Sequence, residues 1–453
     1  MSRLMVSVSG IRGQIGRTLT PEVAARFGAA FGTMLGAGTT VVVGRDSRPS
    51  GPMIRSAVIS GLLACGVKVI DLGLVTTPGV ALMTRERNAD GGVVITASHN
   101  PIEWNGIKFL RPNGLALSVD GAAELKRIWA TGDYAYVAPA ACGTETTDDS
   151  THATHIARVL AIVDADAVAG RRFKVVLDSV NGAGCVGTAR LLEQLGCEVV
   201  AMNAEPTGVF AHTPEPTEAN LTDLCAETAR RGAAVGFAQD PDADRLALVD
   251  ERGTYIGEEY TLALCAAYVL SKRSGSAAAN LSTSRMIDDI AARHGGAVFR
   301  TPVGEANVAG RMLAEGCIIG GEGNGGIIDP RVVPVRDSMV GIALILAQLT
   351  ETGKTLSALV DEIPRYAMIK TKFPCPAGAA PKVAAAAREH YAARKGAAFN
   401  DSDGLRIDLP AGWVHVRASN TEPIMRIIAE APQRDAAEAL VEEVRAIAEP
   451  FVK

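Results

Sequence analysis

Aromatic side chains are scarce in this chain. Phe, Trp and Tyr make up only 4% of its 453 residues, against 47 glycines and a hydrophobic content of 47%. With few rings to fill wide interiors, large cores have to be packed from Ala, Val and Leu in α/β layers joined by many tight turns. Paired cysteines are also missing. The eight cysteines are scattered, with no C-x-x-C, which argues against a disulfide framework and for a reducing, cytoplasmic setting. No sign of charge dominates: 45 basic and 50 acidic side chains leave −5, so no global field favours nucleic acid or an anionic membrane. An anionic substrate must then be held by local Arg and Lys. Long apolar runs are lacking too. Residues 340–349 read as a buried helix, nothing nears the roughly 20 residues of a membrane span, and Met1-Ser2-Arg3-Leu4 opens no signal-peptide apolar segment.

What is present is an alternation of strand and helix signals. The length fits three or four domains. In the first unit, 39–43 is a β-branched run ending in Gly44-Arg45-Asp46-Ser47-Arg48, 53–65 has helical spacing, and 67–71 and 91–95 read as strands. Residues 132–150 have no period and read as a linker or surface excursion. A second unit carries a strand over 173–178, the turn Asn181-Gly182-Ala183-Gly184 and a helix to Leu195. A third opens near Gly253 with a helix over 259–270, and a more strand-rich fourth closes with a helix over 434–448. The expected domains are 1–145, 151–252, 253–365 and 367–453. The alternation argues for mostly parallel pairing.

Four loops and two basic elements carry chemistry. Thr96-Ala97-Ser98-His99-Asn100-Pro101 sets a hydroxyl beside an imidazole after the apolar run 91–95, where a tight Asn-Pro turn would hold Ser98 out at the strand's end. Gln239-Asp240-Pro241-Asp242-Ala243-Asp244-Arg245 spaces three carboxylates by two. In an extended segment they share one side, and hard oxygen ligands select Mg²⁺, Mn²⁺ or Ca²⁺. An isolated D-x-D is more often a solvated turn, but the third Asp in phase and the flanking apolar strands favour a metal loop. Arg417-Ala418-Ser419-Asn420-Thr421-Glu422-Pro423, with Arg426 beyond, offers hydroxyls, an amide and guanidinium groups to a phosphate. Gly320-Gly321-Glu322-Gly323-Asn324-Gly325-Gly326 puts a carboxylate and an amide in phase for vicinal sugar hydroxyls, although a Gly-rich hairpin turn reads the same way in isolation. Arg12 and Lys108 are cations near the serine loop in sequence or suited to a phosphoserine, and Lys108 is a candidate proton shuttle if desolvated. His152 and His155 lack a third ligand and are expected at the surface; His294, His390 and His415 stand alone.

Four of these loops, in this order and at this spacing, resemble the signature loops of the α-D-phosphohexomutase family over essentially the whole chain. The resemblance implies three similar α/β domains with mixed sheets and a smaller α+β C-terminal domain around a central cleft. It implies Ser98 as the phosphorylated nucleophile and Asp240, Asp242 and Asp244 as Mg²⁺ ligands, with the serine phosphate adding an oxygen. His99, Lys108, Arg12 and Arg245 resemble the residues surrounding the transferring group, with Lys108 or Arg12 handling the proton. Glu322 and Asn324 resemble the sugar contacts, and Arg417, Ser419, Asn420 and Thr421 the clamp for the distal phosphate. Several members carry histidine where Gly326 stands, so no base is assigned there. The Gly-rich loop with Arg336-Asp337 is similar to the phosphoglucosamine mutase group, while Asn420-Thr421 is shared with phosphomannomutase/phosphoglucomutase enzymes.

The mechanism implied is two phosphoryl transfers through a hexose 1,6-bisphosphate that also serves as activator, interconverting hexose 6-phosphate and hexose 1-phosphate. Reorientation of the bisphosphate calls for a hinge near 364–374. Monomer and homodimer both remain open. A Mg²⁺-dependent phosphatase is a rival reading. A non-catalytic sugar-phosphate-binding protein is another, disfavoured because such a protein needs neither Ser98 nor the Asp triplet.

Overall fold

The computed structural model describes residues 4–7, 10–376, 378–418 and 424–452. Thr40–Arg45 seeds the first layer. Its Val41-Val42-Val43 run is fully buried, as a central parallel strand with both faces covered requires. Lys68–Leu74 and Gly91–Ile95 flank it in parallel, and Trp104–Leu110 then pairs antiparallel with Gly91–Ile95. Gly10–Gln14 extends the sheet beyond Trp104–Leu110.

The same four-strand plan recurs twice. In the second sheet Lys174–Asp178 lies between the parallel strands Glu198–Met202 and Val235–Gln239, and Leu246–Val249 returns antiparallel. In the third, Ala277–Asn280 lies between the parallel strands Val298–Thr301 and Ile319–Glu322, with Gly326–Ile328 antiparallel. The fourth unit differs. Its sheet is wholly antiparallel, in the order Ala367–Pro374, Ile424–Ala431, Gly412–Ala418, Leu405–Leu409, Ala398–Asn400, and it is covered by helices Ala379–Ala392 and Arg434–Val452. The fold is therefore three similar α/β domains plus a smaller C-terminal α+β domain around a central cleft.

Repetition of the plan fixes where the loops lie. In each α/β sheet the chain runs from the central strand to one neighbour and then to the other, so the sheet has a switch point where ligand crevices form. The segments 96–103, 240–245 and 323–325 each connect the last parallel strand to its antiparallel partner. Three chemically unlike loops thus occupy equivalent positions in three sheets.

One apolar cluster runs through all three α/β domains, including Val42 and Val94, Leu177 and Phe237, and Ile319 and Ile345. The C-terminal domain has a separate core around Tyr391, Val414 and Ile427. Its contact with the third domain is polar: Arg406 Nη1 donates to the Leu281 carbonyl (2.6 Å), the Arg285 amide to Glu430 (2.9 Å) and the Val303 amide to Asp403 (3.0 Å).

Several expectations from sequence change here. Residues 145–147, placed in a linker, add an edge strand beside Lys68–Leu74. Most of the expected hinge at 364–374 is the edge strand Ala367–Pro374, which pairs along its whole length with Ile424–Ala431 and so leaves only 364–366 outside regular structure. His155, expected at the surface, is buried, and its Nε2 lies 2.6 Å from Asp337, the N-cap of helix Ser338–Thr352. His415 does not stand alone either. Its Nε2–H donates to the Asp403 carbonyl (2.7 Å), which leaves Nδ1 to accept from Ser282 of the third domain (2.9 Å). Burial pushes the His415 imidazole down to about 4.

Candidate active site

The serine loop is built by groups that the polypeptide buries at its base. Arg48 is fully buried and donates to four carbonyls of this loop, those of Ser98, Asn100 (2.7 Å), Pro101 (2.8 Å) and Trp104 (3.0 Å). Asp46 balances its charge at 3.1 Å and also accepts from Thr96 Oγ1 (2.7 Å), which in turn accepts from the Ser98 amide (2.8 Å). Ser98 is held in the left-handed region at φ +50°, an unfavourable backbone for a non-glycine residue that persists only where its surroundings enforce it. Its side chain is not held out at the strand's end as expected from sequence. It is buried, and Oγ donates to Asp240 Oδ2 at 2.8 Å.

The three aspartates come together, but not through strand alternation. Residues 240–245 form a turn, closed by the Ala243 amide donating to the Asp240 carbonyl (2.9 Å), with Ala243 at φ +56°. Asp240, Asp242 and Asp244 are all fully buried, and one oxygen from each lies within 4.8 Å of the others. Asp240 Oδ1 accepts the amides of Asp244 and Arg245, both at 3.1 Å. Asp242 Oδ2 accepts from Thr77 (2.6 Å) and Lys108 (2.8 Å). Asp242 Oδ1 and Asp244 Oδ1 are buried with no hydrogen-bond partner. Burial, then the neighbouring Asp242 and Asp244, pushes Asp240 well above the usual carboxylate range.

These features fit a cation. Opposite ligands of an octahedral Mg²⁺ stand about 4.2 Å apart, close to the spread of this cluster, and an all-oxygen donor set suits a hard divalent ion. The two orphaned oxygens would gain a partner. The Asp triplet can hold a metal ion.

The surrounding cations take defined places. Arg12 lies on Gly10–Gln14 and donates to Asn100 Oδ1 (3.2 Å); burial holds its guanidinium below its ordinary value. Lys108, on Trp104–Leu110, lies 2.8 Å from Asp242 and 3.7 Å from Asp244. Burial alone would lower the ammonium, but Asp242, Asp244 and Glu305 outweigh it and keep Lys108 charged. Desolvation therefore does not release its proton while Asp242 is its partner. Arg245 approaches Glu215 at 3.7 Å, and its buried Nε has no hydrogen-bond partner. His99 Nδ1 is 3.3 Å from Ser98 Oγ, and burial, followed by Arg245 and Arg12, pushes the imidazole down to about 2. His99 is thus neutral beside the serine.

A cavity of about 380 Å³ opens between the third and fourth domains, with Glu322, Asn324, Lys370, Arg417 and Arg426 in its wall. The Gly-rich loop is a hairpin turn in which Glu322 pairs with Gly326. Glu322 accepts from Asn280 (2.8 Å) and from the Gly304 amide (3.0 Å). Arg417 lies 3.0 Å from Asp403. Lys370 pairs with Glu259 at 3.2 Å, and burial pushes the Glu259 carboxyl up to about 7. Ser419, Asn420 and Thr421 lie outside the described residues.

The structure brings Ser98, His99, Arg12, Lys108, Arg245 and the Asp triplet into one cluster, and Glu322, Asn324, Arg417 and Arg426 around one cavity. Sequence reasoning named the residue joining them, Arg336, only as part of a family motif and gave it no place in the site; it lies 2.6 Å from Asp244 and 2.7 Å from Glu322. Sequence reasoning also missed Arg48, Asp46, Thr77, Asn280 and Lys370. The charged segment 45–48 directly after a buried strand was a usable signal for Arg48 and Asp46. Nothing local marked Thr77 or Lys370.

Comparison with known proteins places all four domains in one family. The descriptions that match are phosphoglucomutase/phosphomannomutase alpha/beta/alpha domain I over residues 3–135, domain II over 152–253, domain III over 258–366, and the C-terminal domain over 370–447. The chain belongs to the phosphoglucomutase/phosphomannomutase family. It is 42% identical over 439 residues to a phosphoglucomutase/phosphomannomutase of Thermococcus kodakarensis, covering 96% of each chain. It is 40% identical over 440 residues to a probable phosphoglucosamine mutase of Methanopyrus kandleri, covering 96% of this chain and 95% of that one. A crystal structure of a phosphoglucomutase/phosphomannomutase family protein from Burkholderia thailandensis matches with TM-score 0.87 at 29% identity, over 99% of both chains. Members of this α-D-phosphohexomutase group are intramolecular phosphotransferases, and this chain is one of them.

Proposed function

We propose that this chain interconverts hexose 6-phosphate and hexose 1-phosphate by way of a phosphoserine at Ser98 and a hexose 1,6-bisphosphate. One observation carries the reading: Ser98 Oγ donates at 2.8 Å to Asp240, one of three buried aspartates that each bring a carboxylate oxygen within 4.8 Å of the others. A serine hydroxyl against a carboxylate cage is suited to carrying a phosphoryl group next to a divalent ion.

Asp240, Asp242 and Asp244 would hold Mg²⁺, which when bound neutralises charge on the phosphoryl oxygens. The remaining work falls to the chain's own groups. Arg245 and Arg12 present guanidinium donors to the transferring group, while neutral His99 offers a hydrogen bond rather than a charge. Lys108, charged while Asp242 is its partner, or else Arg12, would relay the sugar hydroxyl's proton by giving up its own as it takes that one. Glu322 and Asn324 accept from and donate to the sugar hydroxyls. Arg417, Arg426 and the segment Ser419, Asn420, Thr421 would clamp the phosphate that is not reacting. In the first half-reaction the bond from phosphorus to Ser98 Oγ breaks as one forms to the sugar oxygen, and the sugar hydroxyl's proton passes by way of Lys108 or Arg12 to Ser98 Oγ, which is left as the free hydroxyl. After the bisphosphate turns end for end, the other phosphate returns to Ser98. A clamp recognising phosphate and not a particular carbon serves both halves.

The preferred substrate pair is glucosamine 6-phosphate and glucosamine 1-phosphate, supported by the name of the Methanopyrus relative. The name of the Thermococcus relative favours mannose and glucose phosphates as the second reading. The bisphosphate serves as activator, and the site calls for no nucleic acid or membrane. Among the described residues no helix is long and apolar enough to cross a membrane. The eight free cysteines suit a reducing, cytoplasmic setting, in which the enzyme is proposed to act as monomer or homodimer.

The test is the intact mass of the protein after incubation with glucose 1,6-bisphosphate, followed by kinetics on glucosamine, mannose, glucose and N-acetylglucosamine phosphates. Wild type should gain one phosphoryl group and Ser98→Ala none. An equal gain on both would remove Ser98 as nucleophile, and highest kcat/KM on mannose or glucose phosphate would select the second reading.

A further inference from the structure

Arg336 sits where the metal loop and the sugar loop meet. Its side chain is only 12% exposed, and its guanidinium reaches carboxylates from three separate segments. Nη2 lies 2.6 Å from Asp244 Oδ2, Nη1 2.7 Å from Glu322 Oε2, and Nε 3.0 Å from Glu305 Oε2. Burial would lower the guanidinium, but Asp244, Glu305 and Glu322 more than offset it. A planar fork spanning three carboxylates fixes direction as well as charge, which a single ammonium cannot do.

The consequence is clearest at Asp244. With Oδ2 committed to Arg336, the remaining oxygen Oδ1 is buried, has no hydrogen-bond partner and belongs to the residue cluster formed with Asp240 and Asp242. At Glu322 the same guanidinium takes Oε2, while Asn280 and the Gly304 amide take Oε1. One side chain thereby sets the rotamers of a metal-loop carboxylate and a sugar-loop carboxylate.

Room for this side chain comes from Gly326. A Cβ at that position would lie 2.1 Å from Arg336 Cδ and 2.8 Å from Cγ. The Gly326 backbone is outside the left-handed region, so another residue is barred there by the Arg336 stem rather than by its own conformation. An Arg side chain tied at three points cannot step aside cheaply.

We propose that Arg336 is a positioning residue: threaded past Gly326, it aims Asp244 Oδ1 at the cation and Glu322 at the sugar, and so couples metal binding to sugar recognition. This rests on the metal reading of the Asp triplet given above.

The test is calorimetric titration of Mn²⁺ into the dephosphorylated full-length protein without sugar, alongside KM for the preferred hexose phosphate. Arg336→Gln and Gly326→Ala should each weaken Mn²⁺ binding about 10- to 100-fold, the usual effect of losing a group that orients a ligand. Both should raise KM, and Gly326→Ala should add nothing in the Arg336→Gln background, because Gln keeps Cγ and Cδ but, untied from the three carboxylates, can swing them aside. Arg336→Lys should fail to restore affinity. Wild-type affinity in folded Gly326→Ala, or full rescue by Arg336→Lys, would overturn the proposal. If Arg336→Gln does not fold, Gly326→Ala decides alone, since it keeps every charge. A wild-type protein that binds no Mn²⁺ would remove the metal reading and this inference with it, whereas normal wild-type binding with unaffected variants removes only the role of Arg336.

Discussion

The junction among the three α/β domains and the junction with the C-terminal domain are held by different forces. The first adds to polar contacts such as Thr77 with Asp242 and Arg336 with Asp244 a shared apolar core: one cluster of buried, mostly aliphatic side chains passes through all three sheets. The second is polar, made by Arg406, Arg285, His415 and Asp403 with backbone and side-chain partners, and the C-terminal core does not merge with the rest. Apolar packing at interior density resists small displacements, because sliding it opens voids. Polar contacts are worth only about 1 kcal/mol each in net terms, because water replaces the lost partners once the surfaces part. The proposed chemistry follows this division. Ser98 and the Asp triplet sit in the rigid joint, while Arg417 and Arg426 face the cavity at the loosely tied one. A site that must hold a phosphoryl group still and yet turn its substrate over is served by one stiff wall and one adaptable wall.

Removing the nucleophile should have the largest effect. Ser98→Ala should lower turnover by more than about 10⁴-fold, as loss of a covalent nucleophile does elsewhere, with substrate affinity largely kept. Activity within tenfold of wild type would show that the rigid wall does not do the chemistry.

Arg48→Met attacks the rigid wall from beneath. It leaves Asp46 buried without its cation and four carbonyls of the serine loop without their donor, so stability should fall by about 3–5 kcal/mol. Denaturant unfolding measures this. A loss under about 1 kcal/mol would mean the loop is held by something other than Arg48.

Arg417→Ala probes the adaptable wall. It should raise KM about 10- to 100-fold for the 1-phosphate and the 6-phosphate alike, the worth of one charge-assisted contact. A rise for only one isomer would show that the clamp does not alternate between the two ends of the sugar.

The smallest effect concerns the polar junction itself. Burial raises the Glu259 carboxyl from its ordinary 4.5 to about 7 in the folded protein, so the folded state holds this proton more tightly than the unfolded chain. Stability should therefore fall as pH rises between about 4.5 and about 7, and not change further above that range on account of this group. Glu259→Gln should flatten this slope, a difference of about 2 °C in Tm across the interval. Parallel Tm curves for the two proteins would remove Glu259 as the source.

Much of this was legible in the order of residues. The strand over 41–43 followed from an unbroken β-branched run, as burial on both faces requires, and the helix near 434–448 from periodicity, because burial of one face imposes it. Strand Ala277–Asn280 was not legible, since a run of alanines carries no β preference and is a strand only because two parallel neighbours cover it. The Asp triplet was found for a reason that proved wrong: its carboxylates converge through a turn at Ala243 rather than through alternation along a strand. The spacing had indicated the grouping, and the backbone supplied another route to it.

Local chemistry, the proposed nucleophile, the carboxylate cage and the cations proposed to bind phosphate, was set by short runs of sequence, because each loop is contiguous and its residue types suit one task. Which loops meet was decided only by folding. Arg336 reaches Asp244 and Glu322, Thr77 reaches Asp242, and Lys370 reaches Glu259 across gaps in sequence that no motif spans. The equivalent placing of three unlike loops in three sheets of one topology brings them to a common point, since strand order, and not side-chain chemistry, determines where a loop emerges.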